Sequence, residues 1–219
     1  MNHDTLKQRH RTLRESYPPH LNLRVHRALS WLKRAEIAGP DDADGHFIFL
    51  WIAYNAAYAC EIDERSGFSE QATFVSFLEK LCALDAAKRI DNLVWQEFSG
   101  GIRVLLDTPF VFQSFWDFQS GKTTEAEWLV RFAKGKKIAQ QALAGGRTPV
   151  LLAVVFNRLY TLRNQLIHGG ATWNSKVNRK QLRDCGQLLG KLVPIMIELM
   201  LDHPEIDWGP ACYPVVDAV

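Results

Sequence analysis

Apolar residues recur along this chain at spacings of three and four almost everywhere, and stretches that alternate with period two are few. A helical turn of 3.6 residues brings such positions onto one face, so the pattern predicts helices throughout. It places a first helix over 21–38, closed by Gly39-Pro40, and a second over 46–64. A third runs from Ser69 to Leu84, and a fourth from Asp85 to Leu93 or beyond. Another covers 123–144, opening with Thr124 and Glu127 at capping-box spacing and ending at Gly145-Gly146. The last two span 148–168 and 176–202. Residues 1–20 are polar, end in Tyr17-Pro18-Pro19-His20, and read as an arm or a loosely attached short helix. The stretch 99–121, with Phe110, Phe112, Phe115, Trp116 and Phe118, predicts irregular or short helical segments packed on the bundle.

No repeat, low-complexity segment or clean domain boundary interrupts the pattern. The expectation is a basic N-terminal arm, residues 1–20, followed by a single all-α domain over 21–219, built from antiparallel helices with short loops. The composition agrees: 219 residues, 47% apolar and 23% charged, are enough for a self-sufficient core. The longest apolar run, 47–60, is shorter than the roughly 20 residues a membrane span needs, so it reads as a buried core helix. Cys60, Cys82, Cys185 and Cys212 are widely spaced, form no C-x-x-C pair and follow no secretory segment. They read as reduced thiols of a cytoplasmic protein, with no metal site and no cofactor implied.

A formal charge of +2 implies no nucleic-acid partner by itself. Its distribution is uneven, because Lys7, Arg9, Arg11, Arg14, Arg24, Arg27, Lys33 and Arg34 crowd residues 1–34 against only Asp4 and Glu15. Such a run either contacts phosphates or forms a solvated face. Two motif-like stretches fail on spacing. "DDADG" (41–45) has its oxygen ligands and glycine at the wrong offsets for a calcium loop. "SGKTT" (120–124) has Trp116 where a P-loop needs its first glycine.

The helix at 148–168 is the anomaly. Val155, Leu159, Leu162 and Leu166 make a core stripe; beside it Phe156, Tyr160 and Ile167 make a second apolar strip that contains Arg163. Only a narrow face, Asn157, Thr161, Asn164 and His168, is polar. The helix should be buried on most sides, by its own bundle and by a second subunit. An arginine at the edge of such a region needs an anionic or strongly accepting partner. His168 falls in the last turn, where the helix dipole favours the protonated imidazole, and Gly169 stands ready as a left-handed stop. Arginine, histidine and amide around one point suit a phosphodiester, as charge clamp, proton carrier and orienting group. Plain helix capping by Arg163 and His168 is the competing explanation. Asn55, strongly polar within the apolar 47–60 run, must likewise find partners, either within the core or in support of the Arg163/His168 site, with Tyr58 one turn on to assist.

Arg163-Asn164 followed by His168, as R-N-x-x-x-H-G, resembles the signature of the HEPN superfamily (higher eukaryotes and prokaryotes nucleotide-binding domain). The aromatic run around Asn55, residues 49–58, is similar to the second helix of many bacterial members. The resemblance implies an α-helical bundle with additional helices, homodimeric, with two copies of the motif in a cleft. It further implies a metal-independent endoribonuclease acting in a toxin, defence or stress setting, with RNA as substrate and an antitoxin or other protein as possible partner. His168 would then be the general acid or base, Arg163 would stabilise transition-state charge and Asn164 would orient the scissile phosphate, with Asn55, Tyr58, Asn157 and Thr161 in supporting positions. The products would carry 2′,3′-cyclic phosphate ends. A non-catalytic HEPN module binding a nucleotide or a partner protein is the alternative. The long region 85–145 and the basic arm depart from minimal members of that family.

Overall fold

Helices carry nearly all of the chain in its computed structural model, which describes residues 2–59, 70–176 and 178–213. The protein is all-α, 78% helix with ten helices and no strand among the described residues. In order they are α1 (His3–Leu13), α2 (Pro19–Ala38), α3 (Ala43–Tyr58), α4 (Glu70–Leu84), α5 (Arg89–Asn92), α6 (Ser99–Asp107), α7 (Gln113–Gln119), α8 (Glu125–Ala144), α9 (Thr148–Ile167) and α10 (Arg179–Asp202). No helix among the described residues is long and apolar enough to cross a membrane. The chain divides into two compact units, one of residues up to Phe77 with those from Leu189 onward, the other Leu78–Leu188.

Local chemistry explains most of the boundaries. Asp42 caps α3 by accepting from the Gly45 amide, so this helix starts before residue 46. It ends at Tyr58, and Ala59 is extended; residues 60–64 of the expected helix, with Cys60, lie outside the described residues. Asp85 does not enter a helix. Its carboxylate instead accepts from the Ile90 amide and the Arg89 side chain, which starts α5 at Arg89 after Lys88 turns through the left-handed region. Thr124 and Glu127 form the expected capping box at the head of α8. Within 99–121 the backbone makes α6, a 3₁₀ turn at Pro109–Val111, and α7.

In the first unit, α2 and α3 pack along their lengths, burying Leu21, Val25, Ala28, Leu29 and Leu32 with Phe47, Leu50, Trp51 and Tyr54. The N-terminal segment is a docked helix. α1 is capped by Asn2, and its positions 3, 6 and 10 bury His3, Leu6 and His10. Tyr17 Oη donates to the Leu201 carbonyl at 2.9 Å, and Arg9 pairs with Asp202. Arg24 lies fully buried on α2 and donates to the backbone carbonyls of Ala57, Ala59, Gly209 and Pro210 among the described residues.

In the second unit α9 packs on α6, α8 and the 109–111 turn. Leu151, Leu152, Val155, Phe156, Leu159 and Leu162 are buried. At its start, Thr148 accepts from Trp95 Nε1 at 2.9 Å and donates to Asp91. Arg158, only 2% exposed, lies over the Phe112 ring at 4.1 Å and near the Phe132 ring at 5.6 Å. Its Nε and Nη2 have no hydrogen-bond partner among the described residues, so ring faces take the place of acceptors. Burial pushes its pKa down to about 10, which leaves it charged at neutral pH.

Truncating Arg24 orphans the carbonyls it binds and opens a cavity. Arg24→Ala should therefore lower stability by about 3–5 kcal/mol in urea unfolding followed by tryptophan fluorescence. Arg24→Lys, which can reach fewer of the carbonyls, should fall between the two. A loss under about 1 kcal/mol for Arg24→Ala would mean that solvent replaces those bonds.

Candidate functional site at the end of the ninth helix

The periodicity of α9 divides at Tyr160. Before it, apolar residues are buried almost all round; after it, the strip holding Arg163 emerges, with Tyr160 at 49% and Ile167 at 52% exposure. Arg163 sits half-buried between them, with its guanidinium carbon 5.7 Å from the Tyr160 ring. Its Nη1 donates to Asn164 Oδ1 at 2.9 Å. That bond orients the amide, leaving the Asn164 nitrogen as a donor directed away from the guanidinium.

His168 follows one turn later. It is the C-cap residue, its amide donating to the Asn164 carbonyl at 3.0 Å, and its ring is exposed. Gly169 takes the left-handed conformation at φ +69°, the stop the sequence anticipates. Arg163, Asn164 and His168 thus share the final turn, the first two joined through their side chains and the third tied to Asn164 through the backbone.

The other sequence candidates are distributed more widely. Thr161 is buried, and its hydroxyl bonds back to the Asn157 carbonyl at 3.2 Å, so it serves the helix itself. Asn157 is exposed, two turns before Asn164. Asn55 and Tyr58 belong to the first unit. There Asn55 is half-buried, and its carbonyl accepts from the Ala59 amide. Tyr58 stacks on Tyr54 at 5.4 Å, meets Phe74 edge to face and lies tilted against Phe77.

Gln165 and Asn178, which the sequence did not single out, fix the end of α9 together with Phe110 and Trp116 of the aromatic stretch. Gln165 Nε2 donates to the Phe110 carbonyl at 2.7 Å, and Gln165 Oε1 accepts from Asn178 at 3.0 Å. Trp116 Nε1 reaches the same Phe110 carbonyl at 2.8 Å. The 99–121 region therefore buttresses this end of α9 and carries the exposed aromatic rings of Phe110 and Trp116. Only the aromatic density of that region hinted at this, since such rings usually pack against something.

A half-buried guanidinium, an oriented amide donor and an exposed imidazole can together grip an anion and move a proton. Among the described residues, no three His, Cys, Asp or Glu side chains converge closely enough to hold a metal ion. No family model, no curated protein and no solved structure matches the chain.

If these three residues serve a ligand rather than the fold, their loss should leave stability nearly intact. Arg163→Ala, Asn164→Ala and His168→Ala should each shift it by less than about 1 kcal/mol in thermal unfolding. Thr148→Val is the structural contrast. It should cost about 1–3 kcal/mol by orphaning Trp95 Nε1.

Proposed function

We propose that the protein is an endoribonuclease of HEPN type, cleaving RNA without a metal and acting as a cytoplasmic homodimer in a toxin, defence or stress role. The observation that carries this reading is the final turn of α9, where Arg163 bonds to Asn164 and His168 lies exposed one turn on. The strip of Tyr160 and Ile167 around Arg163 suits a partner subunit, which would bring a second copy of the motif to the cleft.

In this mechanism the ribose 2′-hydroxyl gives its proton to the His168 imidazole. The 2′-oxygen attacks the adjacent phosphorus, the P–O5′ bond breaks, and the departing 5′-oxygen takes a proton from water, to which the protonated His168 then returns the proton it accepted. The products are a 2′,3′-cyclic phosphate and a 5′-hydroxyl. Arg163 counters the charge that builds on the phosphoryl oxygens, and the Asn164 amide donates to one of them. A second reading, a non-catalytic HEPN module that binds a nucleotide or partner protein, draws support from Tyr160. Its exposed ring beside the guanidinium offers a base both a stacking face and a charge.

Purified protein incubated with total RNA in EDTA should produce fragments with cyclic phosphate ends. His168→Ala and Arg163→Ala should each slow cleavage by about 10²–10⁴-fold. Cleavage that survives His168→Ala would overturn the mechanism. No cleavage of any RNA, with nucleotide binding lost in Arg163→Ala, would support the binding module instead.

A further inference from the structure

The crowded cations of the N-terminal segment border a cavity that the α9 motif does not use. It is open, about 800 Å³, and lined by His10, Arg14, Glu15, Pro19, His20, Asn22, Leu23, His26, Pro210 and Ala211, all in the first unit. Small-molecule sites commonly run from about 300 to about 1,000 Å³. The lining has two characters. Pro19, Leu23, Pro210 and Ala211 supply apolar surface, while Arg14 and three imidazoles supply positive charge or donors, against the single carboxylate of Glu15. Among the described residues no three such side chains converge closely enough for a metal ion, so the imidazoles do not form a metal site.

Two of the polar groups, His10 and Asn22, are held in place by hydrogen bonds. His10, 4% exposed, bonds through Nε2 to Asn22 Oδ1 at 3.0 Å, and Asn22 Nδ2 donates in turn to the carbonyls of Arg14 and Tyr17. Lys7 Nζ lies 3.2 Å from His26 Nδ1. Cations here repel one another. Partial burial, then Arg11, Arg14 and Lys33, pull the Lys7 pKa down. Partial burial, then Lys7, Arg14 and Arg27, lower that of His26. Burial lowers that of His10 against the bond from Asn22, with Lys7, His26 and Arg14 adding to the fall. A bound anion would relieve that repulsion and raise these pKa values, so its binding would take up protons.

We propose that this cavity binds a small organic phosphate of nucleotide size, with the phosphate held by Arg14, His20 and His26 and the organic part lying on Pro19, Leu23 and Pro210. A concave, half-apolar wall favours such a ligand over a bare inorganic ion, which would leave that wall in water. The charged and titratable groups around it are Lys7, His10 and Arg11 of α1, Arg14 and Glu15 of the following turn, and His20, His26, Arg27 and Lys33 of α2. Affinity therefore rises as pH falls and His26 and His10 charge. This site stands independently of the ribonuclease reading.

Calorimetric titration of adenosine 5′-monophosphate into the full chain tests it. Binding should tighten from about pH 8 to about pH 6. Inorganic phosphate and adenosine should each bind at least about tenfold more weakly. Arg14 and His26 are exposed, so Arg14→Glu and His26→Gln should preserve the fold by circular dichroism while weakening binding at least about tenfold. Arg163→Ala should bind as the parent protein does. The proposal is overturned by no binding of the monophosphate, by equal binding of adenosine, or by binding that survives Arg14→Glu. Binding lost in Arg163→Ala would also overturn it, by assigning the nucleotide to α9.

Discussion

A chain that is helical almost throughout must dispose of the carbonyls left over at each helix end, and this constraint organises the first unit. The last turn of an α-helix has no backbone donor for its oxygens, and burying them unsatisfied is costly. Here the ends are closed by side chains from other segments. His46 donates to Ala35 at the end of α2, Arg24 to Ala57 and Ala59 at the end of α3, and Tyr17 to Leu201 at the end of α10. Trp208 closes the next turn by donating to His203, and Arg24 and Arg27 hold the segment beyond at Gly209, Pro210, Cys212 and Tyr213. Hydrophobic periodicity brings the helices together; these donors fix where each one stops against its neighbours.

The same constraint shows what could be read in the sequence and what could not. The helices were legible because their period is carried by many residues at once, and the α8 start and α9 stop because capping chemistry is local. Arg24 and Arg158 were not singled out, although their spacing held a signal. Arg24 follows Leu21 by three and precedes Ala28 by four, and Arg158 stands in the same relation to Val155 and Leu162. Both positions therefore belong to core stripes. Reading charge as a sign of solvent exposure hid them, since a guanidinium can be buried wherever carbonyls or ring faces are concentrated. Their partners are distant in sequence: Gly209 and Pro210 for Arg24, Phe112 and Phe132 for Arg158. No local pattern could have announced those pairings.

The basic N-terminal run divides in the same way. Counted along the sequence it is one cluster of positive charge, open to either a phosphate partner or plain solvation. In the fold, Arg24 is consumed by carbonyls, Arg9 by Asp202, and Arg27 by the C-terminal backbone. Arg14 and the histidines remain on the cavity wall. The charge count was visible in the sequence. Its division between structural and available cations depends on tertiary contacts and was not.

That division gives the end of α9 its particular character. α2, α3 and α10 add side-chain donors from other segments to the backbone bonds that close their own last turns. α9 finishes with its own backbone, the His168 amide on Asn164 and the Gly169 amide on Leu166, and the glycine in the left-handed region turns the chain away. The 99–121 region and Asn178 brace this turn through Gln165, while Asn164 stays half-buried and His168 exposed. Arg163 differs in the same sense from Arg24 and Arg158, the two arginines buried among the described residues. Arg24 is saturated by carbonyls and Arg158 is enclosed by rings, whereas among the described residues Arg163 makes one bond to a neutral amide and one loose approach to an exposed tyrosine. Neither neutralises a positive charge, and a half-buried cation with no anionic partner among the described residues is where a negatively charged ligand gains most from docking. Capping explains why this helix stops at His168. It leaves the Arg163 side chain unexplained, because that guanidinium bonds to a side-chain amide and not to the helix-end carbonyls that capping would engage.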